Sequence, residues 1–327
     1  MSKNKTIDWQ PACSLSTLRR RAKMLAAIRA FFAARDVLEV ETPLLCLGIG
    51  TDPHLDFFSI PVAGNSSRYL QTSPEFAMKR LLAAGSGSIY QICKAFRRDE
   101  AGRMHNPEFT LLEWYRVDCD LHGLMDDMED LLRRLAEDAL GQSDAIRIRY
   151  HDVFLQYTGL PPLAATRDEL AACAVRHGLP EARDLCGDDR SLWLDLLFSH
   201  IIQPQLGQRG LCLVYDYPAC QPSLARRNPG DARWVERVEL FWRGVELANG
   251  FHELCDAEEQ AARFAAERQA RRICGQAVPD SDERFLAALS HGLPDCSGVA
   301  IGLDRLLMLL TAADHIEQVL AFPYAKA

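Results

Sequence analysis

The chain has 327 residues, 48% hydrophobic and 25% charged, with a formal net charge of −8, which matches an ordinary soluble enzyme domain. No run of about 18 uncharged apolar residues is available to span a bilayer, residues 1–16 hold no apolar export signal, and the acidic balance gives no general attraction for polyanions. Eleven cysteines stand without a C-x-x-C pair or matching histidine spacing, which argues against a zinc site and fits reduced thiols in a cytosol.

In chain order, Leu18, Ala22, Leu25, Ile28 and Phe32 recur at helical spacing and predict an amphipathic helix, with Arg19, Arg20, Arg21 and Lys23 on its wet side. Residues 37–43 read as extended. Pro43 has no backbone donor and confines that strand to an edge, which is then open as an interface. After a loop at 48–53, Thr72-Ser73-Pro74-Glu75 opens a helix, with Thr72 and Glu75 as a capping box and Gly85 as the stop. Residues 88–96 alternate as a strand.

The stretch 96–115 organises the rest. It begins with Arg97, Arg98, Asp99 and Glu100, turns through 101–107, and then alternates: Phe109, Leu111, Glu113 and Tyr115 on one face, Thr110, Leu112, Trp114 and Arg116 on the other. A ring, a carboxylate and a phenol sharing one face suit a pocket for a flat base and a cation. The plain alternative is a half-buried strand whose Glu113 meets a core partner.

A helix over 121–140 follows, with Leu124, Met128, Leu131 and Leu135 inward and Gly141 as its stop. Residues 143–210 read as a mostly helical insertion turning at Pro161-Pro162 and Gly187-Asp188. Residues 211–215 form a short strand into Asp216-Tyr217-Pro218, and two strands across 237–250 meet at Arg243-Gly244. Asp256 caps a helix with Glu259 three residues on. Residues 296–301 form a strand that runs through Gly302 into an apolar helix ending near Leu310. The pattern predicts one large α/β domain over 1–327.

Walker, Rossmann, H-E-x-x-H and nucleophile-elbow signatures are absent. Phosphate recognition needs fixed guanidinium groups, a metal held by carboxylates and a flat surface for adenine. Arg97, Arg305, the pair Glu239 and Glu246, and Phe109 supply candidates.

Three segments, VLEVETPLL at 37–45, the 97–115 stretch with HNPEF, and SGVAIGLDR at 297–305, resemble in order the three motifs of class II aminoacyl-tRNA synthetases. TSPE at 72–75 and GVELANGFHEL at 244–254 are similar to segments of the lysyl pocket. The first motif stands near residue 37, with no anticodon-binding module before it. DYPA at 216–219, and Ala300 where the lysyl enzymes carry glycine, make the chain similar to the elongation factor P β-lysine ligase family.

That resemblance implies an α/β (α+β) fold in which an antiparallel sheet forms a catalytic core flanked by helices. It implies activation of (R)-β-lysine with ATP and Mg²⁺, transfer to a lysine of elongation factor P, a cytoplasmic homodimer, and neither tRNA nor a membrane as partner. Arg97 would hold the α-phosphate, Arg305 the γ-phosphate, and Phe109 would stack on adenine. His105 and Asn106 would line the triphosphate, and Glu239 and Glu246 would carry magnesium. Arg98, Asp99, Leu247 and Gly302 complete the nucleotide side. Ser73, Pro74, Glu75, Asn249 and Glu253 would meet the substrate's amino group, Glu113 and Tyr115 its distal ammonium, and Ala300 its first carbons. The family pattern after Arg97 is Asn-Glu, but here Arg98-Asp99 is followed by Glu100. Either the loop shifts, Glu100 substitutes, or a water fills the gap to adenine. Aminoacylation of RNA and a catalytically silent regulator are the rival readings.

Overall fold

Helix α1 (Leu15–Ala33) leads into the fold of the computed structural model, which describes residues 9–62, 66–141 and 144–327. Residues 1–8, half of the N-terminal stretch searched for an export signal, lie outside these. The Ser14 hydroxyl caps α1, accepting from the Thr17 N–H at 3.1 Å. Met24, Ile28, Phe31 and Phe32 are buried. Arg21, expected on the wet side, instead turns inward and donates to Asp304 Oδ1 at 2.5 Å and to the Val319 carbonyl at 2.9 Å. The pull of a buried carboxylate, which needs a partner, outweighs hydration of this one guanidinium.

Strand β1 (Leu38–Glu39) is shorter than the 37–43 strand expected, yet it does lie at a sheet edge. Strands β2 (Leu45–Cys46), β3 (Ser59–Val62) and β4 (Ser66–Leu70) form a small separate antiparallel sheet, in the order β2-β4-β3. Helix α2 (Glu75–Ala83) starts with Pro74 at its N-cap and no side-chain cap. The capping box expected of Thr72 and Glu75 does not form, because the Glu75 carboxylate is drawn along the helix to Lys79, 2.5 Å away.

Strands β5 (Ile89–Phe96) and β6 (Glu108–Val117) form the central hairpin, and α3 (Leu121–Leu140) follows. Strand β7 (Ile146–Arg149) leads into α4 (Tyr150–Thr158), α5 (Arg167–Arg176), α6 (Ala182–Cys186) and α7 (Arg190–Leu197). The antiparallel run β8 (Leu211–Pro218), β9 (Trp234–Trp242) and β10 (Val245–His252) comes next. Helices α8 (Ala257–Ile273) and α9 (Glu283–Gly292), strand β11 (Cys296–Gly302) and helix α10 (Leu303–Thr311) complete the core.

The main sheet has the order β1-β5-β6-β11-β10-β9-β8-β7. Its six central strands are antiparallel, and only the end pairs β1·β5 and β7·β8 are parallel. One face packs on α1, α3 and α10 through Phe32, Leu112, Trp114, Leu124, Met128, Leu240, Ile301 and Leu306. Each such fully buried side chain is worth roughly 1.5–3 kcal/mol, so this face is the stabilising one. A second core of Tyr150, Phe154, Trp193, Leu197, Phe198 and Tyr217 seats the helices α4 to α7 against β8. On the opposite face Ile89, Tyr115 and Cys296 pack against α2, α8 and α9 through Met78, Leu82, Phe264, Phe285 and Leu289, and the rest of that face of the central strands is open to build a site.

Candidate active site

Strand register sets five residues in one line across that free face. Glu239 on β9 lies opposite Asn249 on β10, Asn249 opposite Ala300 on β11, Ala300 opposite Glu113 on β6, and Glu113 opposite Gln91 on β5. One period of two along the strands, Phe251, Gly298 and Tyr115 form the next line. Beyond the buried Cys296, strand β11 therefore offers Gly298, Ala300 and Gly302 to this face, and longer side chains from both neighbours lean over a low floor. A Cβ at position 298 would collide with the Tyr115 ring and come within 2.7 Å of Glu253 Oε1, so the close approach requires glycine.

Two cavities stand on this floor and share Asn249 and Ala300 as walls. The larger, about 490 Å³, is lined among others by Ser73, Pro74, Glu75, Glu113, Tyr115 and Glu253. The smaller, about 80 Å³, is lined by Arg97, Glu100, His105, Asn106, Phe109, Glu246, Leu247, Gly302 and Arg305. Three of the residues expected at the site, Arg98, Asp99 and Glu239, line neither cavity.

The larger cavity is acidic. Glu113, 3% exposed, accepts from the Tyr115 hydroxyl at 2.7 Å. Burial and the Glu75 charge push its pKa up to about 8. Glu253 is also pushed up to about 8, by burial and by Glu75, against the pull of Lys79. The Lys79 ammonium, 1% exposed, lies 2.5 Å from Glu75 Oε1 and 2.6 Å from Glu253 Oε2. Burial works against its charge, but the two carboxylates prevail and raise its pKa above the ordinary lysine value. Three carboxylates thus face one internal cation, and the pocket has room in charge for further ammonium groups. Lys79 was missed in the sequence, although Glu75 and Lys79 stand four apart on one helix face, where such pairs meet.

The smaller cavity sets two guanidinium groups, Arg97 and Arg305, among Glu100, Glu246 and Asp304. The Arg305 guanidinium donates to the carbonyls of Met104 at 3.3 Å and Glu246 at 3.1 Å, and its Nη2 lies 2.5 Å from His105 Nε2. Burial and the Arg305 charge hold the His105 pKa below the usual imidazole range, so the ring is neutral and Nε2 accepts. Arg97 lies 5.0 Å over the Phe109 ring, with Glu100 3.7 Å from its Nη1. Asn106 donates to the Glu108 carbonyl at 2.6 Å and accepts from the Tyr324 N–H at 3.0 Å, tying the C-terminal segment to the turn.

Arg98 points the other way, to Asp56 at 2.9 Å and Asp99 at 3.3 Å. Asp99 adopts φ +66°, a left-handed conformation that turns its exposed carboxylate outward and brings Glu100 to the cavity. The sequence left Asp99 and Glu100 open as the acid nearest adenine; only a backbone reversal separates them.

Glu246, partly exposed, stands 3.9 Å from Arg305 and can offer a carboxylate to a metal carried by phosphates. Glu239 is engaged elsewhere: it accepts from the Tyr217 hydroxyl at 2.7 Å and pairs with Arg237, which in turn donates to Asn249 Oδ1 at 3.1 Å. Burial, against Arg237 and with the Glu246 charge, pushes the Glu239 pKa up to about 7. Among the described residues, no three of His, Cys, Asp and Glu converge as a metal cluster. The donor set therefore fits an ion bound mainly through a ligand's own oxygens.

A family model described as tRNA synthetases class II (D, K and N) matches residues 2–326. An elongation factor P–(R)-β-lysine ligase of Vibrio cholerae is 48% identical over 325 residues, 98% of this chain and 99% of the relative. Proteins of the same description from Photobacterium profundum and Haemophilus influenzae are 47% and 46% identical, over 96% and 98% of this chain and 98% of each relative. With matches of this length over such a site, the chain belongs to the class II tRNA synthetase family, in the branch of the elongation factor P–(R)-β-lysine ligases.

Proposed function

We propose that the protein activates (R)-β-lysine with ATP and transfers it to the ε-amino group of a lysine on elongation factor P. The observation that carries this reading is the junction, at Asn249 and Ala300, of an acidic cavity and one that holds the guanidinium groups of Arg97 and Arg305. A substrate bound across that junction has its ammonium groups among Glu75, Glu113 and Glu253 and its carboxylate turned toward Arg97. Around Lys79, the three carboxylates of Glu75, Glu113 and Glu253 exceed the one cation by two, which matches the two ammonium groups of a β-lysyl unit.

The carboxylate oxygen attacks the α-phosphorus of ATP. A C–O–P linkage forms, the bond from the α-phosphorus to the bridging oxygen breaks, and pyrophosphate leaves. The acceptor amine then attacks the acyl carbon, AMP leaves, and the amine gives up a proton. Both steps are served by positioning and by fixed positive charge. Arg305, held by Met104, Glu246 and His105, is pre-set for a terminal phosphate, Arg97 for the α-phosphate, and Phe109 for the base. Asn249, oriented by Arg237 and through it by Glu239, meets the substrate's amino end. Magnesium bound with Glu246 would neutralise charge on the departing pyrophosphate.

The eleven cysteines, all free thiols, suit a cytoplasmic enzyme, and no helix among the described residues is long and apolar enough to cross a membrane. Leu38, Leu44, Leu45 and Leu47 are exposed along the β1–β2 edge, a surface suited to a second copy of the chain.

The test is ATP–pyrophosphate exchange with α-lysine, (R)-β-lysine and (S)-β-lysine in turn, followed by mass spectrometry of elongation factor P and of lysine tRNA incubated with each. Exchange greatest with (R)-β-lysine and one added β-lysyl unit on the protein are expected. Charging of the tRNA in preference to the protein would overturn the reading.

A further inference from the structure

Asp56 lines neither cavity, yet its carboxylate joins the walls of both. Residues 51–55 border the larger cavity through Thr51, Asp52 and Leu55. Their backbone is fastened by Arg271 near the end of α8, which is 0% exposed. Arg271 donates to the carbonyls of Thr51 at 3.1 Å, Asp52 at 2.6 Å, Leu55, and Ala277 at 2.9 Å, and stands 5.3 Å over the Phe57 ring. A guanidinium with its donors so committed is a fixed point in the fold. Asp56 Oδ1 lies 3.7 Å from this group.

The other oxygen, Oδ2, accepts from Arg98 Nη2 at 2.9 Å, and the Asp56 carbonyl accepts from the Arg98 N–H at 3.0 Å. Residue 98 is therefore gripped at side chain and backbone together. It stands between Arg97, which borders the smaller cavity, and Asp99, whose φ of +66° turns the chain so that Glu100 comes back to within 3.7 Å of Arg97. A left-handed non-glycine residue persists only where its surroundings hold it, and the grip on Arg98 is the contact next to it.

We propose that Asp56 is a positioning residue for the nucleotide, holding Arg98 against the buried Arg271 so that the reversal at Asp99 sets Arg97 and Glu100 in the smaller cavity. The inference rests on reading that cavity as the ATP site. Arg98 acts in it as a tether rather than as a phosphate ligand.

Equilibrium ATP binding and pyrophosphate exchange on Asp56→Ala, Asp56→Glu and Arg98→Gln, each with its melting temperature, test it. Asp56→Ala is expected to raise the KM and Kd for ATP about tenfold, the loss of one charge-assisted contact, with the KM for (R)-β-lysine within about twofold of wild type. Asp56→Glu is expected to recover part of the loss. Arg98→Gln, at an exposed position that does not threaten folding, is expected to reproduce it, and the double variant to be no worse than either single one. Unchanged ATP affinity in Asp56→Ala, equal losses for both substrates, or additive losses in the double variant would overturn the proposal. A wild-type protein that binds no ATP would overturn the nucleotide reading and this inference with it.

Discussion

Ala300 lies directly opposite Asn249 across the β10–β11 pairing, and its methyl group is the only side chain that β11 sets on the floor where the two cavities meet. On its other side Ala300 faces Glu113. A substrate reaching from these acids to Arg97 and Arg305 must cross this residue. Moving its amine by one carbon changes where Glu75, Asn249 and Glu253 must meet it. Removing the methyl opens the α-position, so Ala300→Gly is expected to raise activation of α-lysine relative to (R)-β-lysine with ATP binding nearly unchanged. Sites built on hydrogen bonds reject misplaced analogues by up to about 10⁴-fold, so the shift is readable in pyrophosphate exchange. An unchanged substrate ratio would reduce Ala300 to packing.

Glu113 and Glu253 hold protons up to about pH 8 in the free protein. An ammonium placed beside them favours the ionised form, so binding expels those protons. Substrate affinity is then expected to rise from about pH 6 to about pH 8 and to level off above, at up to tenfold per unit for each proton released. Calorimetry in buffers of different ionisation heat measures the protons directly. A flat pH profile would mean that the carboxylates are already ionised in the empty site.

Lys79→Met leaves the buried Glu253 and the part-buried Glu75 without their shared cation. Breaking such a pair costs about 3–5 kcal/mol when the charges remain, and the carboxylates escape part of it by taking up protons. The folded pKa of Glu253, already about 8 beside Lys79, rises further, so the folded state binds more protons than the unfolded one and stability falls as pH rises. The variant's melting temperature is expected to drop below wild type by more at pH 8.5 than at pH 6. An equal drop at both would place the loss in packing.

Arg305→Ala removes a guanidinium already oriented by two carbonyls and His105. A charge-assisted contact made in the transition state is worth a few kcal/mol, so adenylate formation is expected to fall by about two orders of magnitude or more. Near-normal exchange would mean that the phosphate site lies elsewhere.

A homodimer formed through the exposed leucines of the β1 to β2 segment is expected. Light scattering at micromolar concentration is expected to return a dimer for the wild type and a monomer for Leu45→Glu. A monomeric wild type would count against the interface.

Where one periodicity dominates, the sequence alone determined the structure. The helix at 121–140, the strand pair meeting at Arg243-Gly244, the Asp256 cap and the alternation of Phe109, Leu111, Glu113 and Tyr115 were legible because local spacing and burial agree. The family motifs likewise marked out residues of both cavities, though Arg98, Asp99 and Glu239 line neither. Strand β7, four residues with arginine at every second position, carried too little apolar signal to be read.

Tertiary structure alone decided which polar groups meet. Arg21 turned inward to Asp304, Lys79 between Glu75 and Glu253, Glu239 held by Arg237 and Tyr217, and Arg98 turned to Asp56 are all pairings of charge. A charged side chain looks alike in sequence whether it is solvated or paired. Burial makes it need a partner, and that partner is often brought near only by the fold: 283 residues separate Arg21 from Asp304, and 42 separate Asp56 from Arg98.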